Sequence, residues 1–211
     1  TQRDSEANVS SASEKVLTAK IIRRYKRGKL ADRDFSKYHY IEEDAAQIVI
    51  RDQSPHLYLN GIKELSVTAA SALAKTKGEL ELDGLKELSL ELAEALSERP
   101  ELYPSSSLSL RGLKSIRVDV AKQLAATRCN RLKLGIRSLN RALADALEGF
   151  QGSLYLGSLT SLSEIAASIL SKHGGVLALD GLTTLSDAAA ESLSECQKYL
   201  SLNGLTELSD A

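Results

Sequence analysis

From residue 57 onward the chain places leucine at fixed intervals, with small or polar residues between. The shared pattern is L-x-L-x-G-L-x-x-L-S-x-x-x-A-x-x-L, read in 177–193 as LALDGLTTLSDAAAESL. It aligns the segments 57–79, 80–107, 108–131, 132–153, 154–176 and 177–199, and a shortened seventh spans 200–211. A period in this range is the mark of a repeat architecture. Within each unit the L-x-L pair alternates apolar and exposed positions, which predicts one short strand with one buried face. Gly61, Gly84, Gly112, Gly181 and Gly204 follow two residues later, while Gly135 and Gly157 sit one place early. Glycine there suits a sharp turn out of the strand.

A second apolar pair follows, such as Leu85/Leu88 or Leu182/Leu185, and then Ser66, Ser89, Asn140, Ser163, Ser186 or Ser209. Ser and Asn are strong helix N-caps, each worth about 1 kcal/mol against Ala. Arg117 is the exception at this position. Glu91, Glu164, Asp187 and Asp210 in the first turn complement the helix dipole. The Ala and Leu beyond them recur at three- and four-residue spacing, which predicts a short helix with one apolar stripe. A strand, a turn and a helix in so few residues cannot bury their apolar sides alone. Stacked in parallel, they share one leucine core, as in a solenoid.

The L-x-L strand, the Gly turn and the Ser-capped helix together resemble the leucine-rich repeat family, and most closely its bacterial type. The resemblance covers residues 57–211 and implies an α/β solenoid with parallel strands on a concave face and short helices on a convex one. Gly stands where that family places Asn or Cys after the strand, so no asparagine ladder is expected. The family is also one of non-catalytic binding scaffolds, which implies a protein partner along the concave strands.

Upstream, residues 40–54 read as a degenerate repeat helix, with Ile41, Ala45, Ala46 and Val49 matching Leu65, Ala69, Ala70 and Leu73. Residues 13–30 carry Val16, Leu17, Ile21, Ile22 and Tyr25 at helical spacing and predict a capping helix. The chain thus divides into a disordered tail at 1–12, a helical cap with a degenerate repeat at 13–56, and the repeat array at 57–211. Residues 209–211 stop where a helix should start, as expected of a fragment of a longer array.

The 211 residues are 26% charged and 43% hydrophobic, a globular composition, and the formal net charge of −1 gives no whole-chain attraction to nucleic acid or acidic membranes. No apolar run approaches the roughly 18 residues of a membrane-spanning helix. Residues 1–20 show no signal-peptide core, and the absence of Met suggests a chain that begins downstream of its native start. Aromatics are 4%, so Leu, Ile and Ala must fill the core. Cys129 and Cys196 have no metal-ligand spacing and read as small buried residues.

No phosphate-binding loop, nucleophile elbow, zinc helix or C-x-x-C is present, so no catalysis, cofactor, metal or small-molecule substrate is expected. His39, His56 and His173 are scattered, and His173 before Gly174-Gly175 reads as a helix C-cap residue. The candidate site is the strand face. Alternation places His56 and Tyr58, Glu81 and Asp83, Arg111, Arg131 and Lys133, Tyr155, and Tyr199 on it, among small and polar neighbours. Seven strands about 4.8 Å apart make a strip of roughly 30 Å. Tyr and Arg are enriched at interfaces, which favours a protein partner. The bland alternative is a solvated strip in which Glu81 and Lys133 balance charge. A second functional reading is electrostatic docking to nucleic acid or anionic lipid by Arg23, Arg24, Lys26, Arg27 and Lys29, expected on the capping helix. The extra residues at 99–107, with two of the three prolines, read as a loop insertion.

Overall fold

A computed structural model describes residues 15–24, 34–51, 56–99 and 106–207. Strands and helices alternate along them. The first are β1 (Val16–Leu17), α1 (Ala19–Ile22), β2 (Tyr40–Ile41), α2 (Glu43–Arg51), β3 (His56–Tyr58) and α3 (Val67–Ala74). Next come β4 (Glu79–Glu81), α4 (Leu90–Ser97), β5 (Ser107–Leu110), α5 (Val118–Ala125), β6 (Arg131–Leu134) and α6 (Arg141–Glu148). The last are β7 (Ser153–Tyr155), α7 (Glu164–Leu170), β8 (Leu177–Ala178), α8 (Asp187–Ser194) and β9 (Leu200–Ser201).

β3 to β9 form one parallel sheet in strict chain order, and β1 pairs with β2 in a second, two-stranded one. The register sets leucine against leucine from end to end: Leu57, Leu80, Leu108, Leu132, Leu154, Leu177 and Leu200 are successive partners. A slip of one residue would turn every leucine outward, so the alternation itself holds this register. Parallel neighbours need a crossover, which is nearly always right-handed. Repeated in one direction, that crossover lays all the helices against one sheet face, where each packs on its neighbours in sequence. Ala and Leu of the helix stripes, such as Ala69, Ala70 and Leu73 or Ala93 and Leu96, meet the strand leucines in a single core.

The predicted caps form. Ser66, Ser89, Ser163 and Ser186 accept from the backbone N–H three residues on at 3.2–3.3 Å, and Asn140 does so at 2.9 Å. Arg117 has the same extended backbone but makes no cap bond. Its guanidinium instead pairs with Asp119 at 2.6 Å on the surface, an arrangement of little net worth. Arg117→Ser is therefore expected to stabilise the protein by about 0.5–1 kcal/mol, read as a higher urea midpoint with an unchanged slope.

Except in the fifth unit, where Ser158 takes the position and a Cβ at Gly157 would meet nothing within 4 Å, the glycine turns lie directly on the turns before them. A Cβ at Gly84 would strike the carbonyl oxygens of Asn60 and Ile62, and one at Gly112 those of Asp83 and Leu85. The same contact is repeated at Gly181, on Gly157 and Leu159, and at Gly204, on Asp180 and Leu182. Close backbone approach, rather than the turn alone, requires glycine here.

The N-terminal part corrects one expectation. No single helix spans the described part of 13–30: Val16–Leu17 is a strand, and a four-residue helix follows. Thr18 starts that helix, with φ −97° and ψ 158° and its hydroxyl accepting from Ile21 N–H. The residue before each helix thus falls at 18, 42, 66, 89, 117, 140, 163 and 186, a spacing of 23 or 24 with one longer step. Phe35, Tyr38 and Ile41 are buried where the next unit has Leu59, Ile62 and Leu65. Tyr38 N–H donates to the Phe35 carbonyl at 3.0 Å, as Ile62 does to Leu59. The cap is itself repeat-like. The tail expected at 1–12 and the terminal residues 208–211 lie outside the described residues.

Candidate partner-binding face

The sheet face away from the helices carries the residues between the leucines. In its first half the charges meet one another. Lys133 Nζ on β6 lies 2.7 Å from Glu79 Oε1 and 3.9 Å from Glu81 Oε1, both on β4. The pair arches over β5, whose Ser107 and Ser109 are fully buried beneath it. Glu79 also faces His56 Nδ1 at 3.4 Å, and the His56 ring lies parallel to Tyr58 with centroids 6.1 Å apart. Burial and the two glutamates push the Tyr58 phenol above its ordinary pKa. Burial alone would raise the Glu79 carboxyl, but the hydrogen bond and charge of Lys133, with Arg131 and His56, hold it below its ordinary value.

A lowered folded-state pKa stabilises above the unfolded carboxyl value and loses that stabilisation as pH falls through the folded one. Glu79 therefore adds to stability at neutral pH, and its contribution disappears below the ordinary 4.5. Lys133→Met should cost about 1–2 kcal/mol at neutral pH, since it strands a largely buried carboxylate. That cost should shrink as urea titrations move to acid, because in the variant burial raises the Glu79 carboxyl and a proton relieves the stranded charge.

The turns beyond the strands hold a ladder of their own. Asn60 Oδ1 accepts from Asp83 N–H at 3.1 Å, and Asp83 Oδ1 accepts from Arg111 N–H at 2.8 Å and from Ser109 Oγ at 2.7 Å. Asp180 Oδ1 repeats this with Asn203 N–H at 3.0 Å and Ser201 Oγ at 2.6 Å. A side-chain ladder is thus present after all, one residue before the glycine rather than at it. Asp83 is spent on the turn, which leaves Arg111 with an exposed side chain and a fixed backbone.

The second half of the face is different. β7 to β9 and the residues just before β8 and β9 present Ser153, Val176, Ala178 and Ser201 beside two tyrosines, Tyr155 and Tyr199. Tyr199 is 67% exposed, the most of any large apolar or aromatic side chain described. An open groove of about 700 Å³ runs at the start of these strands, lined by Arg131, Tyr155, Val176, Tyr199 and the loop residues Gln151, Gly174 and Lys198 among others. Gln151, Gly174 and Lys198 were not apparent as site residues from the repeat pattern, whereas alternation does place Glu79 on the face, as it does Glu81. The first three precede strands in loops that the repeat does not define.

Of the basic run, Arg23 and Arg24 lie in the turn after α1, not on a helix as expected, because α1 ends at Ile22. Lys26, Arg27 and Lys29 fall outside the described residues. His173 is buried against Phe150, and its Nε2 meets the Gly152 carbonyl at 2.9 Å, so it ties two units together instead of only closing a helix. Arg99 is buried too, and its guanidinium donates to the Thr76 and Gly78 carbonyls at 2.9 Å each, which anchors the insertion to the preceding unit. Burial raises the Cys129 thiol to about 11, an inert group. Among the described residues no group of His, Cys, Asp or Glu is placed to hold a metal, and no helix is long and apolar enough to cross a membrane. Comparison of the sequence with family models and with curated proteins finds no match.

Proposed function

We propose that the chain is a leucine-rich-repeat solenoid that binds a protein partner along its outer strand face and has no catalytic role. The strand order supports the solenoid over a doubly wound α/β fold. A doubly wound sheet reverses its strand order and places its ligand crevice at that switch point. Here β3 to β9 run in one direction without reversal. The observation that carries the binding reading is the contrast within the strip: its charges pair internally, while Tyr155 and Tyr199 stand on a floor of small residues. An exposed aromatic such as Tyr199, with the half-buried Tyr155 near it, is the kind of side chain that anchors interfaces. Among the described residues no nucleophile, base and orienting group converge on the face, which supports recognition over chemistry.

The test is capture from a lysate of the source organism on the immobilised chain, set beside the triple variant Tyr58→Ala, Tyr155→Ala, Tyr199→Ala. A protein identified by mass spectrometry, rebound in purified form and lost by the folded variant is the expected result. Capture that survives the variant yet disappears at about 0.3 M salt would sink the reading, because it would place the contact on the basic run at Arg23 and Arg24.

A further inference from the structure

The groove at the start of β6 to β9 has a chemistry of its own. Its lining includes two cationic residues, Arg131 and Lys198, and no carboxylate. Arg131 already contributes to the field at Glu79, so Lys198, exposed on the rim, supplies the more available charge. Tyr155 ends β7 and Tyr199 stands just before β9, with β8 between them. The register sets Tyr155 level with Ala178 and Ser201, so Tyr199 lies two residues nearer the strand starts. At about 4.8 Å per strand and about 3.3 Å per residue their backbones are separated diagonally by roughly 12 Å. Between them lie Val176, just before β8, and Ala178 within it. A gap of that order between two backbones that carry rings leaves room for one flat or bulky apolar side chain.

From this geometry we infer that the groove binds an extended acidic segment of a partner protein, with one aromatic or bulky apolar side chain seated between Tyr155 and Tyr199 and a neighbouring carboxylate on Lys198. The inference rests on the protein-binding reading above and specifies the partner's chemistry. Cations beside aromatics also suit single-stranded nucleic acid. A phosphate backbone, however, needs a continuous cationic track. The groove lining holds only Arg131 and Lys198, too few for such a track, so a short acidic peptide is favoured.

The probe is a fluorescein-labelled peptide with Glu-Phe-Glu at its centre and Gly/Ser flanks, titrated with the full chain by fluorescence anisotropy. Glu-Phe-Glu should bind at least about tenfold more tightly than Lys-Phe-Lys or Glu-Gly-Glu in the same frame. Tyr199→Ala and Lys198→Glu should each weaken it by about tenfold. Gly174→Leu should block the groove and leave the fold intact, since a Cβ there meets nothing within 4 Å. Equal binding of the acidic and basic peptides, indifference to Tyr199→Ala, or tighter binding of an oligo(dT) of about ten nucleotides would each overturn the proposal. If the triple tyrosine variant loses a protein partner while no Glu-Phe-Glu binding occurs, the acidic-segment assignment falls and the protein-binding reading stands. If the peptide binds while capture survives the triple variant, the groove stands and the wider reading falls.

Discussion

Leu132→Ala is expected to lower the unfolding free energy by about 4 kcal/mol, the upper part of the range for truncating a fully buried leucine. Leu132 is 0% exposed and sits in the middle of the leucine row, partnered by Leu108 on one side and Leu154 on the other. Truncation removes transfer free energy and leaves a void that strands on both sides are too tightly registered to fill. Leu200, in the edge strand β9, is only partly buried and has no strand beyond it among the described residues. The same truncation there should cost about 1 kcal/mol. Urea unfolding followed by circular dichroism would measure both. Equal costs at the two sites would show that the row is not the continuous core described above.

Gly112→Ala should cost about 3 kcal/mol, the upper part of the usual range for overpacking. The added methyl would face the carbonyl oxygens of Asp83 and Leu85, which are backbone atoms with no rotamer to change. Relief requires the two turns to separate. That would also strain the bonds from Asp83 to Arg111 N–H and Ser109 Oγ. Gly157→Ala is the internal control, because a Cβ there has nothing within 4 Å. Its effect should stay within about 0.5 kcal/mol. Indistinguishable melting of the two variants would mean that the turns do not bear on each other as described.

Most of the regular part of the fold was legible in the pattern of leucines. Alternation fixed both the strand face and, through leucine-on-leucine pairing, the register. The caps were legible because Ser and Asn act within three residues of themselves, a purely local bond. The N-terminal strand β1 was not, since Val16-Leu17-Thr18 carries neither the glycine nor the L-x-L pair. Its only signal is Thr18, which stands 24 residues before Glu42, as Glu42 stands 24 before Ser66. The site was harder to read. The Lys133–Glu79 pair joins residues 54 apart in sequence and exists because the strand between them offers only small serines, letting a long lysine reach across. The groove depends on loops before the strands, whose lengths and residues vary from unit to unit. The turn ladder could have been found in the Asn-Gly and Asp-Gly steps at 60–61, 83–84, 180–181 and 203–204.

The near-constant interval between helix starts also bears on how such a chain can change over generations. Each unit presents to the next the same leucine row, the same turn contact and the same helix stripe that it receives from the one before. Duplication or deletion of one whole unit by recombination therefore creates no new kind of junction, and the flanking units meet on surfaces already fitted to each other. The 28-residue step between Ser89 and Arg117 shows where extra length is admitted: after a helix and before a strand, where Arg99 fastens it to its neighbour. The groove opens on the same side of the units, between helix ends and strand starts. Loops at that edge can lengthen and diverge while the leucine core beneath them is copied unaltered.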